Sequence, residues 1–403
     1  MAEIAAVLVA ARDEESNIGR TVESLRDAFP STEVIVADDG SRDGTAAEAE
    51  RAGARVLSLP ARGKGQALTL AERAAPAGRL LLVDADLEGD LAKLAAADGD
   101  LAIAAFAERR GGGFGIAKRA GRTLVRVLSG FAPAEPLSGQ RSLSPRAREA
   151  CFPLAAGFGC EVRMTVDAVR AGLRISELEL PLRHRATGRD AAGFAHRGRQ
   201  LLDALLACGP TAVNHRGLRL PLVGWLVGLR GDRAVAAVAA IGLADDLWSG
   251  GERGFRAHLG SRRTTGVVKL IGIPLVGLAA SRKLSGALLV GLAANFLNQL
   301  DTRPGRALKA YLLAAPFAGA PVGSAVMLAP YDLREMAMLG DSGANALGAM
   351  LALGSVSKLT GRGRWAAIGT LAGLTVLGET RSLGELIERT PLLRELDALG
   401  RQP

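Results

Sequence analysis

RLLLVDAD, residues 79–86, sets one arginine ahead of an apolar run, Leu80 to Val83, and closes on Asp84-Ala85-Asp86. A short unbroken apolar run with a charged stop reads as a strand buried on both faces, the pattern of a parallel sheet. Outward from it, Arg55 to Leu59, Glu33 to Ala37 and Ile4 to Ala11 repeat the pattern, while Ile18 to Ala28 and Gly65 to Ala75 have helical periodicity. Strand and helix in alternation predict an α/β domain, a parallel sheet with helical crossovers. Ligands of such sheets collect at the carboxyl ends of the strands. Both acidic clusters, Asp38-Asp39 and Asp84-Ala85-Asp86, fall at that edge.

An Asp-x-Asp alone also describes a solvated strand end. Here it follows an apolar strand, and Asp38-Asp39-Gly40-Ser41-Arg42-Asp43-Gly44-Thr45 closes an earlier strand of the same sheet. A nucleoside-diphosphate sugar needs a divalent cation against its leaving pyrophosphate, and hard carboxylate oxygens such as those of Asp86 suit Mg2+ or Mn2+. The Asp38-Asp39 pair can accept hydrogen bonds from base and ribose.

In these pieces the chain resembles the family 2 glycosyltransferases with the GT-A fold. The resemblance runs over about residues 4 to 200, through VAARDEE (residues 9–15), ADDGSRDGT (37–45), RGKGQA (62–67) and DAD (84–86). It implies that Asp38 and Asp39 lie near the nucleotide, Lys64 near the diphosphate, Asp86 on the metal, and Asp84 near ribose or metal. PLSGQR (136–141) looks like the acceptor-side segment of these enzymes. Glu161, opening a helical stretch, is the candidate base that deprotonates the acceptor; an acid favoured by the helix dipole is the other reading. His184 resembles the histidine that closes the metal site in relatives making glucosyl-3-phosphoglycerate or polyprenyl-phosphate sugars, and a structural histidine is its alternative.

The charge balance of 50 basic against 41 acidic residues, net +9, raises nucleic acid as a partner. The basic residues are spread through loops and only 4% of the chain is aromatic, so there is no stacking platform and nucleic acid is not expected. Cys151, Cys160 and Cys208 have neither metal nor disulfide spacing, which suits a reducing compartment. The apolar run Ile4 to Ala11 stops at Arg12-Asp13-Glu14-Glu15, too short for a signal peptide, so the first half is expected in the cytoplasm.

From about Pro221 onward the composition changes. Ala234 to Leu243, Thr265 to Ala280, Leu284 to Leu300 and Ala344 to Val356 are rich in Leu, Val, Ala and Gly, and basic loops separate them. They read as short membrane spans with cytoplasmic positive charge. The expected organisation is a GT-A domain over residues 1–205, a polytopic all-α membrane domain over 206–380, and an amphipathic cytosolic helix over 381–403. Polar clusters at Asp245-Asp246, NFLNQLD (295–301) and LGDSGANALG (339–348) interrupt the apolar half. Carboxylates converging on one face would hold Mg2+ against a diphosphate; otherwise each is a helix cap.

These clusters, with NHRG (214–217) and GFRAHL (254–259), resemble the polyprenyl-phosphate hexosamine-1-phosphate transferases, the phospho-N-acetylmuramoyl-pentapeptide transferase family. The resemblance covers about residues 210 to 378. It implies Asp341 as a Mg2+ ligand, Asp245 and Asp246 at polyprenyl phosphate, and Asn298 with Asp301 near a nucleotide. Pro304 stands where that family has a second aspartate after Asp301, and this half is shorter than such enzymes are. The expectation is therefore a multi-pass enzyme of the cell membrane with its GT-A domain in the cytoplasm. It would use Mg2+ or Mn2+ to transfer a sugar from a nucleotide sugar to a lipid-linked acceptor of the polyprenyl-phosphate type in cell-envelope glycoconjugate synthesis. The alternatives are sugar-phosphate transfer from a UDP-sugar to polyprenyl phosphate by the second half, or an inert scaffold that binds polyprenyl phosphate.

Overall fold

Each of the apolar runs of the first half becomes a strand: β1 (Ile4–Ala11), β2 (Glu33–Asp38), β3 (Arg55–Ser58) and β4 (Arg79–Asp84). The structure, a computed structural model, describes residues 4–106, 116–182, 191–248 and 264–401. It divides into two units, Met1–Arg219 and Leu220–Pro403.

In the first unit, β5 (Leu101–Phe106), β6 (Arg141–Leu143) and β7 (Ile175–Leu180) complete a seven-stranded sheet of order β3-β2-β1-β4-β6-β5-β7. The strands β1 to β4 pair in parallel, as the alternation predicts. The sheet is not parallel throughout, because β6 is antiparallel to both β4 and β5. With only three residues, β6 has too short an apolar pattern to be read in advance.

The helices of this unit are α1 (Glu15–Ala28), α2 (Thr45–Arg51), α3 (Lys64–Ala74), α4 (Ala92–Ala95), α5 (Ile116–Ser129), α6 (Pro145–Cys151), α7 (Cys160–Arg170) and α8 (Ala191–Cys208). Ile18, Val22 and Leu25 of α1 form a stripe at helical spacing that packs against Val7, Val9, Val34 and Val36 on one face of the sheet. Ala67, Leu68 and Ala71 of α3 and Met164 of α7 cover the other face over Leu8, Ile35 and Leu82. Both faces being covered explains the unbroken apolar runs of β1, β2 and β4.

The second unit is helical, but the expected polytopic membrane domain is not what the structure shows. Among the described residues no helix is long and apolar enough to cross a membrane. The Leu284–Leu300 helix has 17 residues, about 26 Å of rise against a hydrocarbon core of about 30 Å. Lys269 and Pro274 interrupt the Thr264–Ser281 helix. The small residues of these stretches serve close packing of helix on helix. Ser342 to Ala352 of the Gly340–Lys358 helix are all buried, and a Cβ at Gly348 would lie 2.5 Å from the Ala294 backbone. The stretch read as one C-terminal helix is two, Leu383–Arg389 and Pro391–Ala398. The second is tied to its unit by the Asp397 carboxylate, which accepts bonds of 2.9 and 3.0 Å from the buried Arg306 guanidinium.

Candidate active site

The register of the sheet brings the two acidic clusters together. Asp38 stands beside Ala11 across β1 and β2, and Asp84 beside Ala10 across β1 and β4, so both clusters leave the sheet at one edge.

The loop after β2 is held by the RDEE run after β1. Asp13 N donates to Ser41 Oγ at 2.9 Å, Arg42 N to Asp13 Oδ1 at 2.8 Å, and Glu14 N to Thr45 Oγ1 at 2.8 Å. Two sequence motifs far apart in the chain thus form one loop pair. Asp38 Oδ1 accepts from Ser41 N at 3.0 Å and from Ser41 Oγ, so this carboxylate shapes its own turn. Asp39 is buried and accepts from Arg62 N at 2.7 Å and Gly63 N at 2.9 Å, with the Arg12 guanidinium 3.6 Å away. Burial raises its pKa above the usual carboxylate value against the pull of those donors. Asp39 therefore ties the turn after β2 to the RGKG loop that opens α3.

Gly63 adopts φ +101°, a left-handed-side conformation that suits glycine, and Lys64 begins α3 immediately after it. A Cβ at Gly65 would lie 1.8 Å from the Ala155 carbonyl oxygen, so only glycine lets the first turn of α3 press against the segment leading into α7. The Lys64 ammonium lies 2.5 Å from Asp84 Oδ1 and 2.6 Å from Glu161 Oε1. Burial works against its charge, yet Asp84 and Glu161 hold its pKa well above lysine's ordinary value. The ammonium is thus a fixed cation at the edge of the sheet.

Glu161 is buried in the first turn of α7, and Cys160 Sγ donates to its Oε2 at 3.1 Å. Burial, then Glu161, push the Cys160 thiol well up, so it is no nucleophile. Arg141 is fully buried beneath this region. Its guanidinium donates to Ser138 O at 2.8 Å and Thr165 Oγ1 at 2.9 Å. Burial lowers its pKa, and Glu161 is the foremost charge opposing that. The structure thus joins Lys64, Asp84, Glu161 and Arg141 in one charge cluster. Arg12 and Arg141 fall within the quoted VAARDEE and PLSGQR stretches, but nothing in those stretches gave either arginine a role of its own.

Asp86 is half-buried two residues past Asp84, and its predicted co-ligand His184 lies outside the described residues. Among the described residues no group of three or more His, Cys, Asp or Glu closes around a point as a metal cage does. Asp84 and Asp86, two residues apart at the end of β4, offer the hard carboxylate oxygens that suit a divalent ion.

In the second unit the sequence-predicted residues also meet, around a residue that the apolar pattern concealed. Lys269 pairs with Asp341 and lies 3.6 Å from Asp245. Burial pushes the Asp341 carboxyl up, but Lys269 and hydrogen bonds from Asp245, Lys269 and Asn298 together bring it below its ordinary value. Asp246 accepts from Asp341 N and Ser342 N, both at 2.9 Å, which makes it a cap of the Gly340–Lys358 helix. Burial, then Asp332, Asp341 and Asp246, raise Asp301 well above the carboxylate range. Asn214 belongs elsewhere: its Oδ1 accepts from Arg216 N at 3.0 Å and Leu218 N at 2.9 Å, forming a turn. GFRAHL lies outside the described residues.

Comparison with known proteins matches residues 6–112 to the glycosyl transferase family 2 model. A glucosyl-3-phosphoglycerate synthase of Mycolicibacterium paratuberculosis is 32% identical over 240 residues, 50% of this chain and 72% of that relative. The protein of the same name from Mycolicibacterium smegmatis is 30% identical over 236 residues, 50% of this chain and 77% of that relative. A crystal structure of glucosyl-3-phosphoglycerate synthase from Mycobacterium tuberculosis, in complex with Mn2+, uridine-diphosphate and phosphoglyceric acid, is 26% identical. It covers 51% of this chain and 79% of that one, with a TM-score of 0.43.

Proposed function

The chain belongs to glycosyl transferase family 2, and from that premise we propose that it moves a hexose from a uridine-diphosphate donor onto a phosphate-bearing acceptor. It is a glycosyltransferase with a nucleotide-sugar donor and a divalent metal cofactor. The observation that carries the reading is the Lys64 ammonium fixed between Asp84 and Glu161 at the sheet edge where Asp38 and Asp39 also emerge.

In this reading Asp38 and Asp39 shape the nucleotide side, and Asp86 with His184 holds Mg2+ or Mn2+, which supplies charge neutralisation to the departing diphosphate. Lys64 adds a second positive charge there. Its move toward the diphosphate frees Glu161, whose carboxylate takes the proton when the attacking group is an acceptor hydroxyl, while an ionised phosphate oxygen attacks without a base; in either case the bond from the anomeric carbon to the diphosphate breaks and UDP leaves. Phosphoglyceric acid and polyprenyl phosphate both present the required phosphate. The relatives' names favour the first, and the resemblance of the second half favours the second. The free state of Cys151, Cys160 and Cys208 supports work in the cytoplasm.

The test is incubation of purified chain with UDP-glucose, Mn2+ and each acceptor, with products weighed by mass spectrometry. We expect an acceptor heavier by one hexose, loss of product with a chelator, and a fall of at least about 100-fold for Asp86→Ala. Transfer undiminished by Asp86→Ala sinks the reading.

A second reading rests on the gathering of Asp245, Asn298 and Lys269 around Asp341. There the second unit transfers a sugar phosphate to polyprenyl phosphate, or binds that lipid without turnover. Gain of a sugar phosphate by the lipid, lost in Asp341→Asn, would select the transfer.

A further inference from the structure

The large apolar side chains left on the surface are unevenly shared. The described residues of the first unit expose four, while one helix of the second unit, Thr264–Ser281, exposes six by itself. Val267, Val268, Leu270, Ile271, Leu275 and Leu278 are each between 40% and 55% exposed. Folded chains rarely leave so continuous an apolar face bare, and one that persists marks a surface that something else covers.

The chemistry of the face selects its cover. Between Val267 and Ala280 the sequence holds one polar side chain, Lys269, and that one turns inward to Asp341 and Asp245. The outer face therefore offers no side-chain donor or acceptor along about four turns of helix. A protein partner makes about one hydrogen bond for each 100–200 Å2 it buries, whereas acyl chains ask for none.

The margins of the face carry matching marks. Asp245, late in the Arg233–Trp248 helix, lies 3.6 Å from Lys269, early in the Thr264–Ser281 helix. A Cβ at Gly272, further along the second, would lie 3.1 Å from Ile241, further back along the first, so the two helices run antiparallel. The start of one thus stands beside the end of the other. Arg230 and Arg233 share that end with Arg282 and Lys283, all four exposed, against one acid, Asp232. Trp248, 72% exposed, marks the opposite end. Cations and an exposed tryptophan at the margins of an apolar face suit the headgroup layer of a bilayer, where the cations meet anionic lipid.

We infer that the outer face of the Thr264–Ser281 helix docks the chain on an anionic phospholipid bilayer. Its aliphatic side chains lie among the acyl chains of one leaflet, and Arg230, Arg233, Arg282 and Lys283 lie at the headgroups. Docking of this kind needs no helix that crosses the bilayer. It is independent of which acceptor the first unit uses.

In the experiment, the purified chain is floated on a density gradient with vesicles of phosphatidylcholine alone or mixed with an equal part of phosphatidylglycerol, at low and at high salt. We expect binding to the mixed vesicles to be at least about 10-fold tighter than to phosphatidylcholine alone, and weakened by salt. Ile271→Glu combined with Leu275→Glu puts two charges on side chains that are already exposed. Binding to the mixed vesicles should then fall by at least about 10-fold, while Tm and transfer to a water-soluble acceptor are kept. If that pair lowers Tm, Val268→Ser with Leu275→Ser puts the same question with smaller polar groups. Arg282→Gln with Lys283→Gln should keep the weaker binding to phosphatidylcholine and lose most of the preference for phosphatidylglycerol. Wild type that stays at the bottom of the gradient overturns the inference, as does flotation that the folded variants of the apolar face leave unchanged. A dimer in solution that the glutamate pair splits, with no flotation of wild type, overturns it in favour of a second copy on this face. A chain that floats but transfers no sugar upholds the docking and removes only the functional reading.

Discussion

Lys64 and Glu161, 97 positions apart in the chain, meet at 2.6 Å between Nζ and Oε1. One begins α3 and the other lies in the first turn of α7, and Gly65 is what lets the two helix starts approach. The pair turns a nucleotide-side residue and a candidate base into one electrostatic unit.

Lys64→Met should therefore act on stability and on catalysis together. It leaves Asp84 and Glu161 facing a neutral side chain, at a cost of about 3 kcal/mol for breaking a largely buried pair. We expect UDP affinity to fall by about 10-fold or more as the positive charge at the diphosphate is lost. Urea unfolding and calorimetric titration measure the two effects; UDP affinity equal to wild type would remove Lys64 from the diphosphate.

Gly139→Ala separates geometry from charge. The added methyl group has no room beside Asp84, so the carboxylate must shift while every charge stays. A displacement of about 1 Å in such a site costs about 100-fold in rate. Steady-state kinetics should show that loss in kcat, with Tm changed by only a few degrees. An unaltered kcat would mean that Asp84 has freedom the packing denies it.

Asp332 gives the second unit a pH dependence with a definite sign. It is buried, accepts from Gly305 N at 2.8 Å, and burial pushes its pKa up to about 6 from 3.8. A carboxyl raised on folding contributes stability that is full below its unfolded pKa and is lost as pH rises through about 6. Asp332→Asn keeps the acceptor for Gly305 and removes the charge. It should raise stability at pH 7.5, by up to about 3 kcal/mol, and change little at pH 4. Urea titrations at both pH values check this, and equal shifts at the two would contradict it.

Asp397→Ala tests what fixes the C-terminal helices. Arg306, whose side chain is only 3% exposed, would lose both Asp397 bonds and keep the Glu388 carboxylate at 3.3 Å. A loss of about 2–3 kcal/mol is expected, below the full cost of an unpaired buried charge. Limited proteolysis should then cut within residues 381–401 far faster than in wild type. If the cutting rate is unchanged, apolar packing holds these helices without the ion pair.

The strands of the first unit were legible because periodicity is local: β1, β2 and β4 are buried on both faces, and burial writes itself into consecutive apolar residues. β6 was not legible, since three residues carry no period. Apolar composition in the second half misled for a related reason. Leu, Ala and Gly runs look alike whether their neighbours are lipid or other helices, and Gly348 against Ala294 shows the latter use.

The sequence by itself determined an α/β glycosyltransferase domain and its acidic strand ends at Asp38, Asp39, Asp84 and Asp86. Those are properties of short stretches and side-chain types. Only the tertiary structure decided that Asp39 is spent on the Arg62 and Gly63 amides, that Lys64 holds Asp84 and Glu161 together, and that Lys269 gathers the carboxylates of the second unit. Each depends on which distant residue arrives within about 3 Å, the reach of a hydrogen bond. That is fixed by the packing of whole helices against the sheet and one another, which no local pattern encodes.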